Sequence, residues 1–151
     1  MEEFNKFNPF NLQNETDDNI IDKITSIMDE IDEEADTMVV LSDNVILLTD
    51  VIYLYGELIA RLQKKSALLK MQNNNEESLL AHKLKKEWKD GKAPALSYFS
   101  TQASIMMAEK REEEIEITSQ LTRIKYAYDA TEEKINAVKK KIESIRYEEL
   151  G

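Results

Sequence analysis

Nine bases, Arg61, Lys64, Lys65, Lys70, Lys83, Lys85, Lys86, Lys89 and Lys92, fall between residues 61 and 92 against only four acids. The densest part surrounds the single tryptophan, Trp88. Ammonium groups at this density can displace counterions from a phosphate backbone, while an indole can stack on a base. On a short helix, steps of three and four set Lys85, Trp88, Lys89 and Lys92 on or near one face. The same residues also read as a solvated lysine face with Trp88 packed inside the fold, and the sequence leaves both readings open. A second basic group, Lys139-Lys140-Lys141 with Arg146, lies near the C-terminal end.

Other chemistry is poorly provided for. Without cysteine there is no disulfide, thiolate metal site or thiol nucleophile. One histidine, His82, cannot build a multi-histidine metal centre and would be the only neutral base for a serine triad. Gly56, Gly91 and Gly151 lie too far apart for a phosphate-cradling loop. No catalytic residue, metal ligand or cofactor is assigned, and a non-enzymatic protein is expected. The acidic start carries no basic-then-apolar leader, and the lack of cysteine fits a reducing compartment. Both point to the cytoplasm.

The elements that must position the lysines are helical. Three glycines and two prolines in 151 residues leave little material for the tight turns of a sheet. The net charge of -10 hides an asymmetry, because residues 1–50 hold fourteen acids and two bases, whereas the remainder is mildly basic. Residues 1–19 read as a flexible tail, with Phe4, Phe7 and Phe10 around Pro9 as an alternative docking peptide. Ile20, Ile24, Ile27 and Ile31 mark an acidic helix over 20–35, starting near Asp17 or Asp18. The acids at 29–36 read as solvated surface or as a DNA-mimicking face.

Leu41, Val45, Leu48, Ile52, Tyr55, Ile59, Leu62, Ser66 and Leu69 alternate steps of four and three, which predicts a helix over 37–72. Asn73-Asn74-Asn75 reads as a turn before a short helix over 76–89, and Asp90-Gly91-Lys92-Ala93-Pro94 as a break. A long helix follows over 95–149, its seam running Ile117, Leu121, Ile124, Tyr128, Thr131, Ile135, Val138, Ile142 and Ile145. Asp43, Asp50, Glu57 and Lys64 recur every seven residues and argue against a membrane span. The fold expected is all-α: a long antiparallel, coiled-coil-like hairpin within one helical domain over 20–151. A second apolar stripe, with Leu47, Val51, Leu54 and Leu58, exceeds what one narrow-seamed partner helix can cover. These four residues are the expected oligomerisation surface of a homo-oligomer.

The order heptad helix, basic stretch, glycine turn and long final helix resembles the UvsY-like recombination mediator family of T-even-type phages. Lys83-Leu84-Lys85-Lys86-Glu87-Trp88-Lys89-Asp90-Gly91-Lys92 carries the resemblance. Lys83 and Lys85 match a basic pair, Trp88 an aromatic and Gly91 the turn. Lys89 stands where a second aromatic is usual, and the acidic first forty residues have no counterpart. The resemblance covers about residues 40–149. It implies a bacteriophage protein of DNA recombination, repair and replication in the host cytoplasm. Such a protein forms rings of subunits, binds single-stranded DNA and helps a RecA-like recombinase displace the single-strand-binding protein. The site implied is Lys83, Lys85, Lys86, Trp88, Lys89 and Lys92. The competing reading is a structural or inhibitory coiled-coil protein whose acidic N-terminal helix binds a basic protein partner.

Overall fold

The computed structural model describes residues 12–150, which form four α-helices and no strand among the described residues. A 3-10 turn at Leu12–Asn14 precedes α1 (Asp17–Glu30), α2 (Met38–Lys86), α3 (Leu96–Met107) and α4 (Glu112–Leu150). The all-α expectation is met. Every position of the two predicted heptad seams is buried or half-buried, so the four-three spacing selected the inward faces of α2 and α4 correctly.

Local chemistry explains the start of α1 and its early stop. The Thr16 hydroxyl accepts from the Asn19 amide at 3.2 Å, and Asp17 and Asp18 sit at the positive end of the helix dipole. The helix ends at Glu30 rather than 35, because the following acids form a loop. Asp32 Oδ1 accepts from the Glu34 amide at 3.0 Å, a side-chain turn that competes with helix. Buried Asn44 holds that loop at both ends of its amide. Its Oδ1 accepts from the Asp32 N–H at 3.3 Å, and its Nδ2 donates to the Asp32 carbonyl at 2.8 Å. Thr37 then accepts from the Val40 amide at 3.3 Å and opens α2.

Two helix boundaries depart from the sequence reading. The turn expected at Asn73-Asn74-Asn75 is absent, and α2 runs 49 residues without interruption. Asparagine disfavours helix when its amide competes for the local backbone, and here tertiary partners engage it instead. Asn73 Nδ2 donates to Glu114 Oε1 at 2.8 Å, and Asn74 Oδ1 accepts from Arg111 Nη2 at 2.8 Å. The expected helix over 95–149 is divided at Ala108–Arg111, where no glycine or proline occurs. Lys110 pairs with Glu76 and Arg111 with Glu77, so tertiary ion pairs fix this turn.

The contacts divide the chain into two compact units, one of residues 1–59 with 124–151 and one of residues 60–123. In the first unit Leu12, Ile20, Ile24, Val51, Leu54 and Leu58 form a buried cluster, with Ile27, Met28, Tyr53, Tyr55 and Ile124 packed against it. Two expectations are corrected here. The tail was expected to be flexible through residue 19, yet Leu12 is fully buried. Phe4, Phe7 and Phe10 lie outside the described residues. Of the expected oligomerisation surface, Val51, Leu54 and Leu58 are buried in this unit's own core and Leu47 is half-buried. The wide apolar arc is covered by α1, the Leu12 turn and α4 rather than presented to another subunit. In the second unit, Ala81, Phe99 and Ala103 form the buried centre.

By length and composition alone, α2 is long and apolar enough to cross a membrane. Part of that apolar surface, at Leu48, Val51, Leu54 and Leu58, is buried within the chain. Such side chains each contribute about 1.5–3 kcal/mol by leaving water.

Leu54→Asp is therefore expected to unfold the first unit, with a loss above about 4 kcal/mol and no folded dissociated subunit. Urea denaturation followed by circular dichroism checks this. A pH effect is also expected. Burial pushes the Tyr53 and Tyr55 hydroxyls above the ordinary value of 10.0, with Glu57 adding to the shift at Tyr53. The folded state thus resists ionisation that the unfolded chain accepts. Stability should be intact below pH 10 and fall as pH rises above it. The Tyr53→Phe, Tyr55→Phe double variant should flatten this fall in urea midpoints measured from pH 9 to 11.5.

Candidate nucleic-acid interface

The lysine segment begins in the last turn of α2. Lys83, Lys85 and Lys86 occupy that turn, where the negative end of the helix dipole favours cations. The helix closes as the Glu87 amide donates to the Lys83 carbonyl at 3.0 Å and the Trp88 amide to the Lys85 carbonyl at 3.3 Å. Gly91 then takes φ 90°, a left-handed conformation that an L side chain rarely adopts. Pro94 biases its predecessor toward extended backbone, and α3 starts at Leu96.

This geometry changes the expected site. The short helix over 76–89 is the end of α2, and it stops at Lys86. Trp88, Lys89 and Lys92 therefore sit in the connecting loop and do not continue a helical face with Lys85. All five lysines, Lys83, Lys85, Lys86, Lys89 and Lys92, are exposed, and none forms an ion pair among the described residues. They belong to a unit with twelve bases against nine acids, whereas the other unit carries eight against twenty-one.

Trp88 takes the packed role. It is half-buried against a cluster that includes Leu80, Leu84, Ala93 and Leu96. Its ring meets Phe99 edge-on at 5.8 Å between centroids and Tyr98 at 6.2 Å. The indole N–H is buried without an acceptor among the described residues. An indole held this way anchors the lysine loop to α3 rather than presenting an open platform for a base.

The second basic group is divided by its contacts. Lys141 Nζ donates to the Ala35 carbonyl at 2.7 Å, and Lys134 pairs with Glu33, so these two amines hold the acidic loop of the first unit. Lys139 and Lys140 are exposed. His82 lines a cavity of about 280 Å³ with Glu77, Ser78 and Ser100. No hydrogen bond joins His82 to a hydroxyl or carboxylate among the described residues, and Glu77 is engaged by Arg111. No three His, Asp or Glu side chains converge on a common point among the described residues.

Two features of this unit escaped the sequence reading. The first is the network of Asn73, Asn74, Glu77, Arg111 and Glu114, whose members are far apart in sequence. Hydrogen bonding to Glu77 is the main influence holding the Arg111 guanidinium protonated, reinforced by Glu114 against some desolvation. The second is α3, which has no charged residue in twelve and exposes Tyr98, Ile105 and Met106 while burying Phe99, Ala103 and Met107. The absence of charge in Leu96–Met107 was the available signal. Scans against protein-family models, curated proteins and solved structures find no match to this chain.

Trp88 emission should be blue-shifted in the folded protein and move to the red on unfolding. Trp88→Ala should destabilise the second unit by about 3 kcal/mol, the lower end for loss of a packed aromatic. Thermal melts at 222 nm provide the measurement.

Proposed function

We propose that the protein is a non-enzymatic recombination mediator of the UvsY-like kind. It binds single-stranded DNA and helps a RecA-like recombinase take the place of single-strand-binding protein. The observation that carries this reading is the group of five exposed lysines, without ion pairs among the described residues, at the end of α2 and in the loop that follows. Lysine heads neutralise phosphates and release counterions without reading base edges, so binding is tolerant of sequence. Trp88 contributes by fixing the loop, not by stacking. The subunit is a coiled-coil-like antiparallel hairpin that assembles into a ring, which multiplies a weak contact into a strong one. This activity belongs in the cytoplasm of an infected host and needs no cofactor or membrane.

A second reading has its own support. The first unit holds the large excess of acid, and its loop over 31–37 is fixed by Asn44, Lys134 and Lys141. An acidic surface held in place suits a structural or inhibitory protein that binds a basic partner.

The Lys83→Ala, Lys85→Ala double variant separates the two. Each subunit is expected to make roughly 2–4 phosphate contacts, each adding about -0.7 to the log–log salt slope. Removing two should weaken oligonucleotide binding and lower the slope magnitude by about 1.4, with helicity unchanged. Fluorescence anisotropy across a salt series reads both quantities. Unchanged binding would remove the mediator reading and leave the acidic-partner reading in place.

A further inference from the structure

The cavity of about 280 Å³ beside His82 lies between α2 and α3, wholly within the second unit. Ser78, Ala81 and His82 line it from α2, and Leu96 and Ser100 from α3. Its walls are tied together, because Ala81 packs with Phe99 and Ala103 in the buried centre of the unit. Asn74 and Glu77, both engaged by Arg111, complete the lining. The Ser78 and Ser100 hydroxyls and the His82 ring have no hydrogen-bond partner among the described residues. Each hydroxyl can donate or accept, and an imidazole offers an edge for hydrogen bonds and a face for stacking. Ser78, His82 and Lys86 follow at steps of four, which sets them along one side of α2. The cavity and the exposed Lys86 thus share that side, with His82 and Lys86 about 6 Å apart along the helix axis.

We propose that this cavity receives one unpaired base of a single strand whose phosphates are held by the lysine segment. The inference rests on the DNA-binding reading and adds a contact that a duplex cannot make, since a paired and stacked base has no free face or edge to insert. His82 stacks on the base, while Ala81 and Leu96 meet its apolar parts. Trp88 is packed against Phe99 and Tyr98 and leaves stacking to the histidine. The volume falls just below the roughly 300–1,000 Å³ of sites for drug-sized ligands, which suits a single heterocycle. One hydroxyl on each wall adapts to a donor or an acceptor, so the cavity requires a base without selecting a particular one.

The test is fluorescence anisotropy with a thymidine oligonucleotide and an abasic strand of equal length and charge. The parent should bind the base-bearing strand roughly tenfold more tightly, within the range that stacking a base on an aromatic ring provides. His82→Ala removes the ring, and Ser100→Leu fills the cavity from α3. Each should bring the two strands to nearly equal affinity, with circular dichroism unchanged. Neither alters a lysine, so both should keep the parent's salt slope. Equal affinity of the parent for the two strands overturns the proposal, as does a preference that persists in both folded variants. A reduced salt slope in His82→Ala would make His82 a phosphate contact and overturns it too. In these cases the mediator reading stands, because the lysine segment still binds the strand. A parent that binds neither strand removes that reading, and the base site with it.

Discussion

Arg111 is the residue on which the second unit turns. Its guanidinium reaches Glu77 at 2.7 Å, Glu114 at 2.9 Å and the Asn74 carbonyl oxygen at 2.8 Å. Three acceptors from two helices suit a planar fork of donors, which lysine would not reproduce. The arrangement has opposite effects on its two neighbours in sequence. It allows α2 to continue through three asparagines by engaging one of their amides and, through Glu114, a second. It also fixes a turn at Ala108–Arg111, where composition alone would permit one long helix. Asn73, almost fully buried, depends on Glu114 for its partner. Loss of the arginine would deprive the half-buried Glu77 and Glu114 carboxylates of their shared cation and the exposed Asn74 carbonyl of one donor.

How much of this was legible follows from the range of the interactions concerned. Hydrophobic spacing is local, and it identified the inward faces of α2 and α4 from Leu41 to Ile145. The start of α1 near Asp17 and the break around Gly91 and Pro94 were legible for the same reason, since each uses residues within one turn of itself. Asn73-Asn74-Asn75 misled because the local preference of asparagine was overridden by groups more than thirty positions away. The break at Ala108–Arg111 had no local sign at all. The apolar stripe Leu47, Val51, Leu54 and Leu58 was identified as needing cover, but its cover came from within the chain. Leu12, assigned to a mobile tail, supplies part of it.

The candidate site divides along the same line. Exposure of the lysines follows from their chemistry, so their composition was informative. The role of Trp88 depends on Phe99 and Tyr98, which sit across the Gly91 turn, and it was left open for that reason. The charge asymmetry along the sequence acquires a spatial meaning once the units are defined, because acid is concentrated in one and base slightly exceeds it in the other. Lys134 and Lys141 work against that asymmetry locally, since each anchors the loop over 31–37 from α4.

The turn at Gly91 has a stereochemical consequence. Its φ of 90° is uncomfortable for an L residue, yet a Cβ placed there meets no atom within 4 Å. Space is therefore not what excludes a side chain; handedness is. A D-alanine introduced at this position by chemical ligation would find its preferred backbone region, on a turn that is exposed. It would remove freedom from the unfolded chain, an effect of about 0.4–1 kcal/mol for comparable replacements of glycine. The loop that carries Lys89 and Lys92 can thus be stiffened without changing its charge or its length.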